Sequence, residues 1–448
     1  MKGNKFGGFF ICFFALAVIF AIPAVHTWST VSMEADNSDE TEPDIIGNEG
    51  NDSKTEDEII ADKYFFEKQT LSARAGEKIQ LQLSILDQAG NPAPAADTVI
   101  TIYDTNKCFT DKTFRTDSNG TAVLTFDKPG TYYAGANPKE NMKEPDLCRI
   151  HVKKASVSFV KKSQTLKLQT GTEKGSSKNL SVMVNGKRIR ASELTWRVGN
   201  KKIASLKNGT ITAKKEGKTT VYATIYDTTA KCSITVLDKR KLIVLDPGHQ
   251  EHQNTAKEPL APGSNELKMK VTSGTAGTYS GSEYQLNLTV SKKLKKVLQK
   301  KNYRVLMTRT TNQVNISNKE RAEIANEANA DAFIRIHANS STSSSASGIL
   351  TICPTKSSPY CQSVYKKSRR LSDSILEHMQ QKTGTSQGRI WETDTMTGIN
   401  WSRVPVTIVE LGYQSNPTED RLLATDAYQD KLVLGMAAGL DEYFHISP

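Results

Sequence analysis

The hydrophobic periodicity of this chain changes once, near residue 238, and this change limits the possible folds more than any other feature. Before it, apolar and polar residues alternate, as at 79–85 and 99–103, between turn sequences such as Asp-Ser-Asn-Gly at 117–120. Short alternating strands separated by turns are typical of β-sandwiches. After it, apolar runs alternate with segments of helical periodicity. This second pattern predicts an α/β domain with a mostly parallel sheet.

Chain length supports the same division. A chain of 448 residues exceeds what one hydrophobic core usually supports. We therefore predict a multidomain protein in which β domains cover residues 64–153 and 154–237 and an α/β catalytic domain covers 239–448. In the last of these, helical spacing over 283–301 and a capping-box sequence that starts at Ser317 predict the first two helices.

The N-terminus has the composition of an export signal. Lys2 and Lys5 precede an uncharged, phenylalanine-rich run of 17 residues, 6–22, which Pro23 and Ala24 follow. Such a sequence is typical of a secretory signal peptide, although the run is also just long enough to remain as an anchor. We predict a signal peptide or membrane anchor over 1–29. The remainder is then expected to be extracytoplasmic, either secreted or surface-associated, with membrane contact only through an uncleaved N-terminal segment.

The net charge of +11 is distributed unevenly along the chain. Residues 34–63 contain twelve acidic residues and two lysines, a net charge of −10, so the remaining residues carry about +21. Few apolar residues occur over 30–63, which predicts an acidic disordered linker. A strongly basic body favours polyanionic surroundings, such as anionic wall polymers, anionic lipid or nucleic acid. The basic residues are dispersed without interleaved aromatics, which argues against nucleic acid.

The six cysteines predict no thiolate metal site, because the sequence contains no Cys-x-x-Cys. Cys12 lies in the predicted signal. A disulfide can form between Cys108 and Cys148 in the first β domain, and another between Cys353 and Cys361. Cys232 alternates with apolar residues of a predicted strand, so we expect it to be a small buried side chain.

Four polar residues lie at the edges of predicted elements in the α/β domain. His249 follows the apolar run 242–246, His337 and Glu410 each close a strand, and Glu283 opens a helix. Ligands of open α/β sheets bind beyond the carboxyl ends of the strands, so these side chains can meet at one rim. Two histidines and a carboxylate form the ligand set of a catalytic zinc, and a further carboxylate can act as a base. The set predicts metal-assisted hydrolysis, in which Glu410 can transfer a proton from water to the leaving amine.

Each of these residues also has a structural interpretation when it is taken alone. A histidine at a strand end is usually hydrogen bonded or solvated, Glu283 suits the positive end of a helix dipole, and Glu410 can be a loop acid. Their joint placement favours the functional interpretation. Three other histidines are less suitable: we interpret His252 as a loop residue and His378 and His445 as helix-surface residues.

Two stretches of the β region resemble a known module. Residues 154–237 contain an Asn-Gly turn at 208–209, a following Ile-Thr-Ala strand and a glycine, Gly217, before the last strand pair. These features resemble the bacterial Ig-like group 2 module. Residues 64–153 resemble a more divergent module of this kind. The resemblance implies two all-β Ig-like sandwiches, and since neither has a visible catalytic set, we interpret them as spacers or wall-association modules.

Four segments of the α/β domain carry a second resemblance: Asp-Pro-Gly-His at 246–249, Ser-Glu-Tyr-Gln-Leu-Asn at 282–287, Arg-Ile-His-Ala-Asn at 335–339, and Val-Glu-Leu-Gly-Tyr-Gln-Ser-Asn at 409–416. In this order they resemble the zinc-dependent N-acetylmuramoyl-L-alanine amidases of the amidase 3 family. The resemblance covers roughly 240–445. It implies that His249, Glu283 and His337 bind zinc and that Glu410 is the catalytic glutamate. It also implies an autolysin or wall-remodelling enzyme that cleaves the amide between N-acetylmuramic acid and L-alanine in peptidoglycan.

The surroundings of this site give three further candidates for substrate contact. Asn339 can orient a ligand or the substrate. Trp391 and Trp401 can stack on glycan or peptide, or can equally pack against a helix. The segment 250–281 is longer than in compact members of the family and is similar to a clostridial-type subset; its Gly, Ser and Thr content predicts a loop at the cleft that shapes substrate access.

Two other functions remain open at this point. One is a non-catalytic wall-binding or adhesive surface protein with an inactive amidase-like domain. The other is a zinc peptidase that acts elsewhere in the stem peptide. Because all four key residues are intact, we favour the amidase.

Overall fold

The computed structural model describes residues 64–136, 147–172 and 174–446. These residues belong to one compact unit, Ala61–Pro448. The predicted signal or anchor (1–29) and the predicted acidic linker (30–63) lie outside the described residues. Among the described helices, none combines the length and the hydropathy needed to span a membrane.

The first β domain consists of two groups of paired strands. Strand β3 pairs with β1, β4 and β7, whereas β2, β9, β8, β5 and β6 follow one another in a second sheet. The side chains of Ile79, Leu81 and Leu83 in β3 are buried and those between them are more exposed, as the alternating sequence predicts. The strands are β1 (Tyr64–Phe66), β2 (Thr70–Arg74), β3 (Lys78–Leu86), β4 (Pro92–Pro94), β5 (Val99–Tyr103), β6 (Phe109–Arg115), β7 (Thr121–Thr125), β8 (Gly130–Ala136) and β9 (Leu147–Lys153).

The second β domain contains three short sheets, with strand orders β10-β13-β14, β11-β19-β18-β15 and β12-β17-β16. Asn208 and Gly209, both with positive φ, form the predicted turn between β16 and β17. The strands are β10 (Val157–Phe159), β11 (Ser163–Leu168), β12 (Ser177–Asn179), β13 (Val182–Val184), β14 (Lys187–Arg188), β15 (Thr195–Val198), β16 (Ala204–Lys207), β17 (Thr210–Ala213), β18 (Gly217–Ile225) and β19 (Thr228–Asp238), with a 3-10 turn at Ala191–Glu193.

One hydrophobic core runs through both β domains, from Phe126 and Ile150 to Ile211 and Ile234. The prediction that this region consists of β-sheets is confirmed. The assignment of its two halves to Ig-like sandwiches stays a prediction.

The α/β domain alternates strands and helices, as the sequence predicts. Its elements are β20 (Leu242–Pro247), β21 (Asn254–Pro259), β22 (Leu267–Val271), β23 (Ala276–Gly277), β24 (Gly281–Ser282), α1 (Glu283–Lys300), β25 (Arg304–Met307), α2 (Asn318–Glu327), β26 (Ala332–Asn339), β27 (Ile349–Cys353), α3 (Gln362–Thr383), β28 (Gly388–Glu392), α4 (Thr397–Asn400), β29 (Val406–Tyr413), α5 (Pro417–Leu423) and α6 (Asp426–Tyr443). The Ser317 hydroxyl accepts a hydrogen bond from the Glu320 amide, so the predicted capping box begins α2.

The central sheet has the strand order β25-β20-β26-β29-β27-β28. Its ladders are parallel except for that between β27 and β29, which confirms a mostly parallel sheet. One face packs against α1, α3 and α6 around Ile243, Ile334 and Val409. The opposite face carries Val244, Phe333 and Ile408 and is covered in part by α2 and α4, which leaves room for a cleft near the carboxyl ends of the parallel strands.

The bounds of helix α3 were not predicted, although His378 was expected on a helix surface. Its buried face includes Leu371, Ile375 and Met379, but also Ser368 and Ser372, which interrupt the apolar pattern. Ser368 Oγ accepts a hydrogen bond from the Val406 amide, and Ser372 Oγ donates one to Thr407 Oγ1, so polar contacts to β29 replace apolar packing at these two positions.

The loop of residues 169–171 joins the second β domain to the end of α1. The Lys241 amide donates to Thr170 Oγ1 at 2.7 Å, and Asn302 Nδ2 donates to the Gln169 carbonyl at 2.7 Å. The Gly171 amide donates to the Lys301 carbonyl at 2.9 Å. These bonds satisfy backbone groups of both domains at the junction.

The described cysteines are all free thiols, so the two disulfides considered above do not form in this structure. Cys108 is exposed whereas its candidate partner Cys148 is buried, and both Cys353 and Cys361 are buried as separate thiols. Cys232 is fully buried in β19, as predicted.

We expect only Cys108, among these five cysteines, to react with a thiol reagent in the folded protein. The other four are buried, and burial raises the pKa of the Cys148 and Cys353 thiols to about 11, which lowers their thiolate fraction. The test is to label the protein with a thiol reagent before and after denaturation without reductant, and to identify the labelled cysteines by peptide mass spectrometry. A disulfide-linked peptide pair that contains Cys108 or Cys361 would contradict the structure.

Candidate metal centre

Three predicted ligands, His249, Glu283 and His337, lie together at one end of the central sheet. Glu283 Oε1 is 3.2 Å from His249 Nε2 and 3.1 Å from His337 Nδ1. One ligand atom from each residue can be chosen so that all lie within 4.8 Å of one another. Two imidazoles and one carboxylate are a suitable donor set for zinc and leave further coordination positions open.

Two buried atoms next to this cluster support the fit of a metal ion. His337 Nε2 and Glu410 Oε2 are both buried and have no hydrogen-bond partner among the described residues. Buried polar atoms are normally satisfied, so their position suggests a group that the protein does not itself supply. Glu410 lies directly opposite His337 in the register of β26 and β29.

His249 owes its position to an unusual backbone conformation. It follows β20 with φ of +59°, a left-handed conformation that costs energy for a residue with a side chain. Arg321 Nη2 donates to the His249 carbonyl at 3.1 Å, and Arg309 Nη2 donates to the preceding Gly248 carbonyl at 3.0 Å. His249 Nδ1 donates to the Thr272 carbonyl at 2.9 Å, which orients Nε2 towards Glu283.

Glu283 is the first residue of α1 and is 3% exposed. Its Oε2 accepts from the Thr275 amide at 2.9 Å, and its Oε1 accepts from the Ala338 amide at 3.1 Å. Burial alone would raise the pKa of Glu283, but hydrogen bonds from His249 and His337 hold this pKa well below its ordinary value. Glu283 is therefore a carboxylate, as a metal ligand must be.

His337 and Glu410 do not end their strands, which corrects the predicted boundaries. Strand β26 continues to Asn339 and β29 to Tyr413, so both side chains lie on the sheet face near the carboxyl end rather than beyond it. Burial lowers the pKa of His337 to about 4, which keeps the ring neutral. Burial, together with the charge of Glu283, raises the pKa of Glu410 to about 8.

The sequence analysis missed a buried ion cluster under the site. Asp246 Oδ1 lies 2.8 Å from Arg321 Nη1, and Asp246 Oδ2 lies 2.9 Å from Arg335 Nε. Burial would raise the pKa of Asp246, but the two guanidinium groups hold it below its ordinary value. The detectable signal was an arginine inside an otherwise apolar strand, because a buried arginine requires a partner.

Asp420 is a second residue that the sequence analysis missed. It lies in α5, and its carboxylate accepts from the Tyr279 amide at 2.8 Å and the Ser280 amide at 3.0 Å. These contacts hold the short turn between β23 and β24 that leads directly into Glu283. No local sequence pattern reveals this contact, which joins residues about 140 positions apart.

A cavity of about 480 Å³ adjoins the cluster. One wall is the antiparallel hairpin β21–β22, and residues 395–398 also contribute to the lining. The segment 250–281 therefore lies at the cleft as predicted, but it forms this hairpin and two short strands instead of a loop. The lining residues are His249, Lys257, Leu267, Lys268, Met269, Thr272, Asn318, Arg335, His337, Ile352, Thr395, Met396, Thr397, Gly398, Ile408 and Glu410.

The predicted substrate contacts are not among the described residues that line this cavity. Asn339 uses its side-chain oxygen to accept from the Ser340 amide and its carbonyl to accept from the Gln414 amide. Trp401 donates from Nε1 to the Pro259 carbonyl at 2.9 Å and packs against the core beside α4, which matches the packing interpretation. Trp391 is 43% exposed on the edge strand β28.

The remaining histidines lie apart from the cluster. His252 is exposed in the segment after β20. His378 lies on α3 as expected and contacts Glu442 at 3.1 Å. His445 follows the end of α6 with positive φ, so it is not a helix residue.

Known proteins are similar to this chain over the same domain. Residues 243–442 match the Amidase_3 family, described as N-acetylmuramoyl-L-alanine amidase. The probable cell wall amidase LytH of Staphylococcus aureus is 27% identical over 205 residues, which cover 46% of this chain and 58% of that protein. The chain thus spans less than two thirds of the length of the curated relatives that it matches.

Solved structures give further similarities. The N-acetylmuramyl-L-alanine amidase Ami1 from Mycobacterium smegmatis matches with 20% identity and a TM-score of 0.42, over 46% of this chain and 98% of that one. An N-acetylmuramoyl-L-alanine amidase from Clostridium difficile 630 matches with 26% identity and a TM-score of 0.38, over 47% of this chain and 99% of that one. The family match includes His249, Glu283, His337 and Glu410. Residues 243–442 are therefore similar to the N-acetylmuramoyl-L-alanine amidases of the Amidase_3 family, over a little less than half of the chain.

Proposed function

We propose that this chain hydrolyses the amide between N-acetylmuramic acid and L-alanine in peptidoglycan and that it requires zinc. The observation that carries the proposal is the approach of His249, Glu283 and His337 to within ligand distance, with Glu410 opposite His337 on the next strand. When bound to such a set, zinc polarises a carbonyl group and makes water nucleophilic near neutral pH.

The residues of the chain have separate tasks in this reaction. His249 and His337 are neutral nitrogen donors, and Glu283 supplies the negative charge that favours a cation. Glu410 is the general base that takes a proton from the attacking water and transfers it to the leaving amine. Burial raises the pKa of Glu410 in the protein alone, whereas a cation held by the three ligands acts in the opposite sense and favours the carboxylate.

The lining of the cavity beside the candidate ligands suits the peptide part of the substrate. Its floor contains Ile352 and Ile408, and the hairpin adds Leu267 and Met269. Apolar surfaces of this kind bind the aliphatic parts of a stem peptide, while a few polar groups fix its register. Action on the wall places the protein outside the cytoplasm, as an autolysin or a wall-remodelling enzyme.

We further propose that the second β domain associates with anionic wall polymers. Residues 154–237 contain seventeen lysines and arginines and four acidic residues, a net charge of +13. On the outer face of the sheet β11-β19-β18-β15, the strand register places Arg197, Tyr222 and Lys231 in one row. The Arg197 guanidinium lies 3.7 Å from the Tyr222 ring centroid. This row holds positive charge on a flat surface, which favours an extended polyanion.

Removal of zinc tests the metal requirement. The purified protein is expected to bind about one zinc per chain and to clear cell-wall gels, and a chelator abolishes clearing because the open coordination site is lost. Mass spectrometry of the digested wall is expected to show new free L-alanine amines on intact stems. Clearing that persists in chelator contradicts zinc dependence. Cleavage elsewhere in the stem would instead identify a peptidase, and a folded, zinc-loaded protein that cleaves nothing would be a non-catalytic surface protein.

The substitution Glu410→Gln separates the base from the ligands. Glutamine keeps the shape of the side chain but cannot accept the proton, so kcat falls by about a hundredfold to ten-thousandfold while zinc content is retained. His337→Ala is expected to lower both zinc content and kcat. The exposed Glu377→Gln on α3 is the matched control and retains full activity. Loss of zinc from Glu410→Gln would mean that Glu410 is a ligand.

The double substitution Lys218→Glu and Lys231→Glu tests the basic face. Both lysines are exposed on the outer face of one sheet, so their reversal lowers the local charge without removing core contacts. We expect less of the double variant than of the wild type to sediment with purified walls. The binding that remains should depend less on salt concentration, because fewer charge contacts are left for salt to screen. The control is Lys366→Glu with Lys367→Glu on α3. If the double variant binds walls as well as the wild type does, this face has no role in binding. Wild-type binding that is unchanged on walls stripped of anionic polymers would refute the role as well.

A further inference from the structure

The cavity contains a buried arginine that the proposed mechanism does not use. Arg335 lies two residues before His337 on β26, so both side chains are on the same face of the sheet. It is 3% exposed and lines the cavity. Its Nε donates to Asp246 Oδ2 at 2.9 Å and its Nη2 to Asn318 Oδ1 at 2.7 Å. Its Nη1 has no hydrogen-bond partner among the described residues.

The backbone of Gly398 packs directly against this guanidinium. A Cβ atom at Gly398 would lie 2.1 Å from Arg335 Nη1 and 2.4 Å from its Cζ, so a side chain there must displace the guanidinium. Gly398 also lines the cavity, beside Thr397. Arg335 Nη1, a charged donor without an acceptor among the described residues, thus lies where residues 395–398 meet the sheet face of the cavity.

The charges around Arg335 favour an anion. Arg309, Arg321 and Arg335 are each 3% exposed or less, and Asp246 is the one carboxylate to which this group forms ion pairs among the described residues. Arg309 donates instead to the neutral carbonyls of Pro247, Gly248 and Tyr284. The three arginines and Asp246 together carry more positive than negative charge, and Glu410, which lines the same cavity, is the further carboxylate on which the charge of Arg335 acts.

The distance from Arg335 to the metal ligands matches the spacing of a stem peptide. Two residues along a strand advance by about 6.6 Å, which separates Arg335 from His337. Two residues of an extended peptide span about 7 Å. When the carbonyl to be cleaved lies at the ligands, the residue after L-alanine therefore reaches Arg335. In peptidoglycan this residue is linked through its side-chain carboxyl, and its α-carboxyl is either a free carboxylate or an amide.

We propose that Arg335 forms an anion subsite for the free α-carboxylate of the stem residue that follows L-alanine. The enzyme then prefers stems with this carboxylate over stems in which it is amidated. A carboxylate accepts from Nη1 and pairs with the excess positive charge, whereas a carboxamide brings no charge. Lys257 of β21 also lines the cavity and adds to the positive potential at its entrance. This inference rests on the proposed amidase function.

The test uses two synthetic muramoyl peptides that differ only in this group, one with the α-carboxylate and one with the α-carboxamide. The zinc-loaded full chain is expected to cleave the carboxylate form with a kcat/KM at least about tenfold higher, the ordinary contribution of a hydrogen bond to a charged group. In Arg335→Gln the ratio falls towards one, mainly through loss on the carboxylate substrate. Arg335→Lys retains an intermediate ratio. Zinc content and circular dichroism verify that each variant is folded.

A matched control and a second variant complete the design. Arg389→Gln on the exposed edge strand β28 removes an arginine outside the cavity and is expected to keep the wild-type ratio. Gly398→Ala places a methyl group against Nη1 and is expected to lower the ratio of kcat/KM values on the two substrates without removing the charge. This variant tests the subsite if the Arg335 variants fail to fold.

The outcomes distinguish this inference from the proposed function. Equal kcat/KM on both substrates overturns the anion subsite and leaves the amidase function intact. Discrimination that persists unchanged in folded, zinc-loaded Arg335→Gln also overturns the role of Arg335. No cleavage of either substrate by the zinc-loaded wild type overturns the amidase function, and the subsite with it.

Discussion

The geometry of the candidate site depends on the ion pairs of the buried Asp246 carboxylate. It lies near the end of β20, is fully buried, and pairs with Arg321 of α2 and Arg335 of β26. Three elements from distant parts of the sequence are therefore joined at one charged group. Removal of one member of such a cluster leaves an unpaired buried charge, at a cost of about 3–5 kcal/mol. Asp246 thereby links the stability of the domain to the geometry of the cleft.

The same cluster extends to the metal ligands. Arg321 donates not only to Asp246 but also to the Pro247 and His249 carbonyls, and so stabilises the strained backbone at His249. On the other side of the cluster, Glu283 is held by backbone amides and by the turn that Asp420 anchors. His249 and Glu283 are thus oriented by contacts outside the candidate metal set, which keeps the ring and the carboxylate in place before an ion binds.

The sequence predicted the clustering of the candidate site residues better than the contacts that support them. His249, Glu283, His337 and Glu410 were identifiable because each follows or opens a strongly patterned element, and parallel strands bring such positions to one end of a sheet. The pairing of Asp246 with Arg321 and Arg335 was not identifiable, since periodicity indicates which residues are buried but not which charges meet. A helix was expected around His378, but the bounds of α3 were not predicted, because Ser368 and Ser372 occupy positions where the helical pattern requires apolar residues. The β21–β22 hairpin was missed although Leu267, Met269 and Val271 alternate with lysines in β22, because β21 is polar and the Gly, Ser and Thr content of the segment favoured a loop.

The connection between the β region and the cleft runs through helix α1. Its first residue is the ligand Glu283, and the residues just after its end, Lys301 and Asn302, bond to the loop of residues 169–171 in the second β domain. An 18-residue helix spans about 27 Å and is stiff over this length. A wall-bound second β domain would therefore hold the catalytic cleft at a nearly constant distance from the polymer. Such tethering raises the local concentration of substrate at the cleft without new contacts there, provided that the substrate lies within the distance that α1 sets between the cleft and the bound polymer.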